Sequence, residues 1–236
     1  MRLMRQLHKW TALIVGIQVL LWLVSGLAMS LFDEQEVSGA VSAAFEHDVE
    51  LLPVNGRIAE PAGLAASAAQ PLREIELKRQ SGKWVWRVES EDQVQLYDAI
   101  DGSSIEIDEA YVRGVAAAGY DGTGKPKTVT LLSSPTLEAR GHSIPMWKVD
   151  FDDRYRTSFY ISADEGRILE RRNDTWRWFD LFWMLHTMDY AERDNFNNPW
   201  VIAVAFASVW LAVSGIVLLV KSLAPRRNRA PSHSPR

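Results

Sequence analysis

The chain has 236 residues, a formal net charge of −4 and 47% hydrophobic residues, values that on average describe an ordinary water-soluble protein. It has no cysteine, which excludes disulfides, CxxCH attachment of c-type haem, thiolate zinc sites, iron–sulfur clusters and thiol redox chemistry. The average conceals a strong partition, because all 30 acidic residues lie between positions 33 and 198, and both ends are basic.

Residues 1–9 carry Arg2, Arg5 and Lys9, a basic N-terminus expected on the cytoplasmic side. The run Thr11–Phe32 that follows has no charge and one amide, Gln18. At about 1.5 Å per residue it reaches roughly 33 Å, enough to cross a hydrocarbon core of about 30 Å. A transmembrane helix is expected over residues 10–32. A cleaved signal peptide is the competing reading. It fits less well, because the apolar run exceeds the usual h-region and Ala28-Met29-Ser30 is followed by Leu31 and Phe32.

Residues 33–172 are expected to fold outside the membrane. Asp33–Glu50 reads as a helix or ordered linker, and the Ala-rich stretch Gly56–Gln70 as a short helix despite Pro61. Alternation then predicts strands at Leu72–Leu77, Trp84–Val88 and Val94–Tyr97, with a short edge at Ile105–Ile107. Helical spacing returns over Asp108–Tyr120, and a second set of strands is predicted at Thr128–Leu132, Met146–Phe151 and Thr157–Ser162. The two sets resemble each other. Trp86-Arg87-Val88-Glu89 aligns with Trp147-Lys148-Val149-Asp150, and Tyr97–Gly102 aligns with Tyr160–Gly166. A unit of helix plus three-stranded antiparallel sheet therefore occurs twice.

Residues 173–198 hold a Trp-rich segment, expected to form an amphipathic helix along the outer interface over Thr175–Leu185, followed by a polar loop. In that loop Asp189, Glu192 and Asp194 stand as cation ligands or as solvated and capping charges. Pro199 suits a first helical position. The second uncharged run, Pro199–Val220, predicts a transmembrane helix over 199–221, and the tail 222–236 is basic and acid-free. The positive-inside rule then puts both termini in the cytoplasm and the centre in the periplasm of a two-pass inner-membrane protein. A short membrane-adjacent arm of this kind does not suit nucleic acid. Both apolar runs contain a small-residue motif, Trp22-Leu-Val-Ser25-Gly26 and Trp210-Leu-Ala-Val-Ser214-Gly215, of the type that lets helices approach closely. Antiparallel helices put the two motifs at different depths, so each is expected to meet another helix or a second copy.

Five histidines are present, His8, His47, His142, His186 and His233, and only His8 and His186 adjoin the apolar runs. A neutral imidazole beside large apolar side chains can ligate haem iron. Arg177 is then a propionate partner and Trp183 a wall of the pocket. The competing reading makes His186, Trp176, Trp178, Trp183 and Tyr190 an aromatic belt, with Lys9 and Trp10 as anchors. His8 and His186 should lie about 30 Å apart along the membrane normal, so one haem cannot take both from one subunit. A ligand pair needs a homodimer or a partner protein. The chain has no HExxH, GxSxG, GxGxxG or phosphate-cradling loop, so nothing in it supplies a self-contained enzyme.

Three features together resemble the PepSY family, in its membrane-associated PepSY-TM branch. They are Leu7-His8-Lys9-Trp10 leading into a helix with Gly16 and Ser25-Gly26; the strand–turn–strand Phe159–Leu169; and the Trp-rich segment with Leu185-His186 before the last helix. Larger members have four helices, where this chain has two. The resemblance implies an α+β extracytoplasmic domain of two PepSY-like units on two transmembrane helices. It also implies an accessory role in an envelope redox or iron-uptake system, with haem b held for electron transfer across the membrane, for which His186 or His8 is the candidate ligand. The alternative it carries is a non-redox tethered module that docks or restrains a periplasmic protein such as a peptidase.

Overall fold

A computed structural model describes residues 2–43, 58–67, 71–80, 82–91 and 93–223. His47, His233 and all but the first two residues of the basic tail lie outside the described residues. The chain divides into two compact units, residues 31–180 and residues 1–30 with 181–236.

The unit of residues 31–180 contains two antiparallel sheets, each preceded by a helix. Helix α2 (Glu34–Ser38) is started by Asp33, whose carboxylate accepts from the amides of Gln35 and Glu36. Helix α3 (Pro61–Ser67) begins at the proline, where a missing N–H costs nothing. Strands β1 (Leu72–Gln80), β2 (Lys83–Ser90), β3 (Val94–Asp98) and β4 (Ser104–Ile105) form the first sheet in sequence order. Helix α4 (Glu109–Ala118) then leads into the second sheet, made of β5 (Pro126–Leu132), β6 (Met146–Phe151), β7 (Ser158–Ser162) and β8 (Ile168–Arg172). Each sheet thus has four strands, one more than the repeat predicts.

The repeat also aligns differently in space. Trp86 pairs across the ladder with Tyr97, whereas Trp147 pairs with Ile161. Directly opposed residues share a face, so Tyr160 points away from the side that carries Trp147. That one-residue difference gives the second sheet two separate clusters. On one face Val149, Phe151, Phe159 and Ile161 pack against Val112, Val115 and Ala116 of α4, spaced for one helical stripe. On the other, Tyr160 and Met146 pack with Ala139. Asp108 caps α4 through the Tyr111 amide. Gly166 turns the chain between β7 and β8 at φ 62°, where a side chain would also sit 2.5 Å from the Tyr111 ring.

The other unit contains α1 (Arg2–Ser30) and α6 (Pro199–Leu223), each long and apolar enough to cross a membrane. The unit boundary falls within α5 (Asp174–Thr187). Helix α1 begins well before the apolar run and includes Arg2, Arg5, His8 and Lys9. Along α1, Val15, Gln18 and Ser25 are buried, and Met4, His8, Thr11, Ala12, Trp22, Gly26, Ala28 and Met29 are half-buried. Val15, Gln18, Trp22, Ser25 and Met29 recur at alternating three and four residues, the spacing of a helix–helix seam, here with an antiparallel α6. Asn198 caps α6 by accepting from the amides of Trp200 and Val201, with Pro199 in the first turn as expected.

Candidate functional site: two serine-held imidazoles

The two motifs Ser25-Gly26 and Ser214-Gly215 do not meet each other. Each receives a histidine of the same chain. His8 Nδ1 lies 2.7 Å from Ser214 Oγ, and His186 Nδ1 lies 3.1 Å from Ser25 Oγ. Both serines are buried, at 2% and 1% exposure. The glycines make room for the rings: a Cβ on Gly215 would stand 3.2 Å from His8 Cε1, and one on Gly26 would stand 3.4 Å from His186 Cε1.

The serines' other contacts bear on which ring nitrogen carries the hydrogen. A serine hydroxyl has one proton to give. Ser25 donates it back along α1 to the carbonyl of Leu21 at 2.6 Å, and Ser214 donates along α6 to the carbonyl of Leu211 at 3.1 Å. A serine oxygen whose proton is engaged in this way accepts from the imidazole tautomer that carries its hydrogen on Nδ1 and keeps the Nε2 lone pair. A metal-binding histidine is oriented in this way, with one ring nitrogen tied to a protein acceptor and the other open. Neither Nε2 has a hydrogen-bond partner among the described residues.

His8 and Ser25 are seventeen residues apart on α1, so the two imidazoles occupy levels about 25 Å apart along the helix. Between them lies Gln18, buried, its amide nitrogen without a partner among the described residues.

The remaining predicted site residues are engaged elsewhere. Trp183 donates Nε1–H to the carbonyl of Arg193 at 3.1 Å and meets the Phe196 ring edge-on at 5.2 Å. All five N–H groups of Arg177 are used. They go to both oxygens of Glu138 (2.8 and 3.2 Å), the Arg156 carbonyl, Asp174 and the Ser158 hydroxyl. A propionate would have to displace Glu138. Burial pushes the Glu138 carboxyl up, but the Arg177 guanidinium and the Tyr160 hydroxyl outweigh it and hold the group below its ordinary value. His142 pairs with Glu170 at 2.8 Å.

The loop 188–198 is organised by Asp189. Its two oxygens accept from the amides of Ala191, Glu192, Asp194 and Asn195 at 3.1–3.3 Å. These bonds, the one from Asn195 foremost, hold its pKa down to about 2. The carboxylate thus caps the loop, and no group of three His, Asp or Glu converges on a metal-sized site among the described residues.

The histidine pair could be read from sequence, but their serine partners were missed. The signal available was that each Ser-Gly motif sits level with the other run's histidine once the helices are antiparallel. No family model, no curated protein and no solved structure matches this chain.

Proposed function

We propose that the chain is a two-pass inner-membrane protein of the PepSY-TM kind that holds haem b at two levels, through His8 near the cytoplasmic side and His186 near the periplasmic side. The observation that carries this reading is the paired arrangement of imidazoles. Each has Nδ1 against a serine whose hydroxyl also reaches a helix carbonyl, and each has Cε1 against a glycine. The donor set fits a b-type haem, which needs neutral imidazole ligands in an apolar slot and supplies one-electron transfer when bound. The serines fix the tautomer, and the apolar helix faces exclude water. Basic flanks place both termini in the cytoplasm, and the acidic tandem sheets then lie in the periplasm, where they would dock a membrane or periplasmic partner in a redox or iron-uptake system.

The test is an absorbance spectrum of the chain purified in mild detergent from haem-replete cells. A Soret band is expected, reduced by about half in His8→Ala or His186→Ala, since each supplies one of two levels, and absent in the double variant. No Soret band, or one that survives the double substitution, overturns the haem reading. The tethered docking module would then remain as the function.

A further inference from the structure

Each imidazole supplies one ligand to its level, so each level is half complete within a single chain. The geometry of the helix pair says where the other half comes from. An α-helix turns about 100° per residue, and Ser25-Gly26 and Ser214-Gly215 each straddle the line along which α1 and α6 face one another. A step of one residue turns clockwise on one helix and anticlockwise on its antiparallel neighbour when both are viewed from the same end. The facing directions are themselves opposed, so both steps lead to the same side of the plane through the two axes. Gly26 and Gly215 therefore lie on one side, and Ser25 and Ser214 on the other. His8 precedes Gly26 by eighteen residues, about five full turns, and falls on the glycine side. In each ring Nδ1 meets the serine and Cε1 meets the glycine; in His8, Nε2 also lies 3.9 Å from the Gly215 Cβ position, on the glycine side.

That side is also the one with room. By the same helical step it carries Ala12 and Gly16 of α1 and Ala205, Ser208 and Ala212 of α6, interrupted by Val19, Leu23, Val201 and Leu219, whereas the serine side carries Trp10, Ile14, Leu21, Phe206 and Trp210 beside Ala28 and Ala203. A Cβ added at Gly16 would meet nothing within 4 Å, so no contact among the described residues accounts for that glycine. Small residues four apart are what close approach of helices in lipid requires.

We infer that a second copy of this chain docks on the glycine side of the helix pair, about a two-fold axis along the membrane normal. His8 then faces the partner's His8, and His186 faces the partner's His186. Rotation about the normal is the closed symmetry that leaves both copies with the same topology and joins like levels. The inference rests on the haem reading for its ligand, though the docking face can be tested without it.

The chain's lack of cysteine makes that test clean. Single substitutions Gly16→Cys and Ser208→Cys, midway between the two levels on the glycine side, are compared in native membranes under mild oxidation with Ile14→Cys and Ala203→Cys on the serine side. Covalent dimer is expected as the major species for the first pair and at background for the second. Cross-linking from the serine side, or from neither side, overturns the inference. If Gly16→Cys fails to insert, Ser208→Cys decides alone, because that exchange changes one atom. Glycine-side cross-links without a Soret band leave the dimer face standing and remove the haem. A Soret band without cross-links does the reverse.

Discussion

The two units of this chain solve burial in opposite ways. In the tandem sheets most of the enclosed side chains are apolar, Val112, Val149, Phe159 and Ile161 among them, with Thr157, Ser158 and Asp180 as buried polar exceptions, and most charged groups lie in pairs nearer the outside. In the helix pair the most enclosed side chains include Ser25, Ser214 and Gln18, while Leu23, Phe206 and Ile216 are more than 60% exposed. One unit is built for water. The other is built for a surrounding as apolar as its own leucines, in which polar groups must find partners inside and small residues let backbones approach.

The comparison is tested most severely by the same truncation in both units. Phe159→Ala should destabilise the sheet unit by about 3–5 kcal/mol, since the ring is enclosed between α4 and the second sheet. Phe206→Ala, on the open face of α6, should change folding stability by no more than about 0.5 kcal/mol. Denaturant titration of the full chain in detergent, followed by protease resistance of the sheet unit, measures both. Comparable losses would break the contrast.

Next in size is the network around Arg177. Glu138→Ala leaves a partly buried guanidinium without its bidentate partner and should cost about 1–3 kcal/mol. The pH dependence follows from the lowered carboxyl. Its stabilising contribution is complete above the ordinary value of 4.5 and is lost as pH falls through the lower folded value. In Glu138→Ala the acid-side decline of the sheet unit should be shallower. A local effect is expected at Asp189, whose contribution is present above the ordinary value of 3.8 and disappears as pH approaches about 2. Asp189→Ala should speed hydrogen exchange at the amides of Ala191, Glu192, Asp194 and Asn195 and leave the sheets untouched. Protection that persists at those amides would remove Asp189 as the loop's organiser.

The two units also differed in how far they could be read from sequence. Length without charge marks α1 and α6, and alternation marks most of the sheet strands, because these are local signals. The fourth strand of the second sheet was harder. Ile168–Arg172 carries two arginines and a glutamate in five residues, so its pairing with β7 depends on the turn at Gly166 more than on its own pattern. The offset between Tyr97 and Tyr160 was misleading for a related reason: both are aromatic residues before a turn, yet only ladder register decides which face each occupies. At the candidate site the histidines stood out as rare groups beside apolar runs. Their serines did not, since a serine in an apolar helix reads equally as packing, and only the antiparallel register brings each beside an imidazole.

The smallest expected effect probes that register directly. Ser25→Ala removes the acceptor of His186 Nδ1–H and leaves α1 otherwise unchanged. A hydrogen bond of this kind within a helix bundle contributes about 0.6 kcal/mol on average, so insertion and folding should be nearly unaffected. The imidazole, however, loses the contact that selects its tautomer, and either nitrogen can then carry the proton. On the haem reading the outer level should weaken while the inner level, held by Ser214 and His8, keeps its spectrum. Ser214→Ala should give the mirror result, and Ser25→Thr, which restores a hydroxyl, should recover the outer signal. Equal losses at both levels from either serine would mean that the two ends are not independent sites, and the correspondence between them would fail.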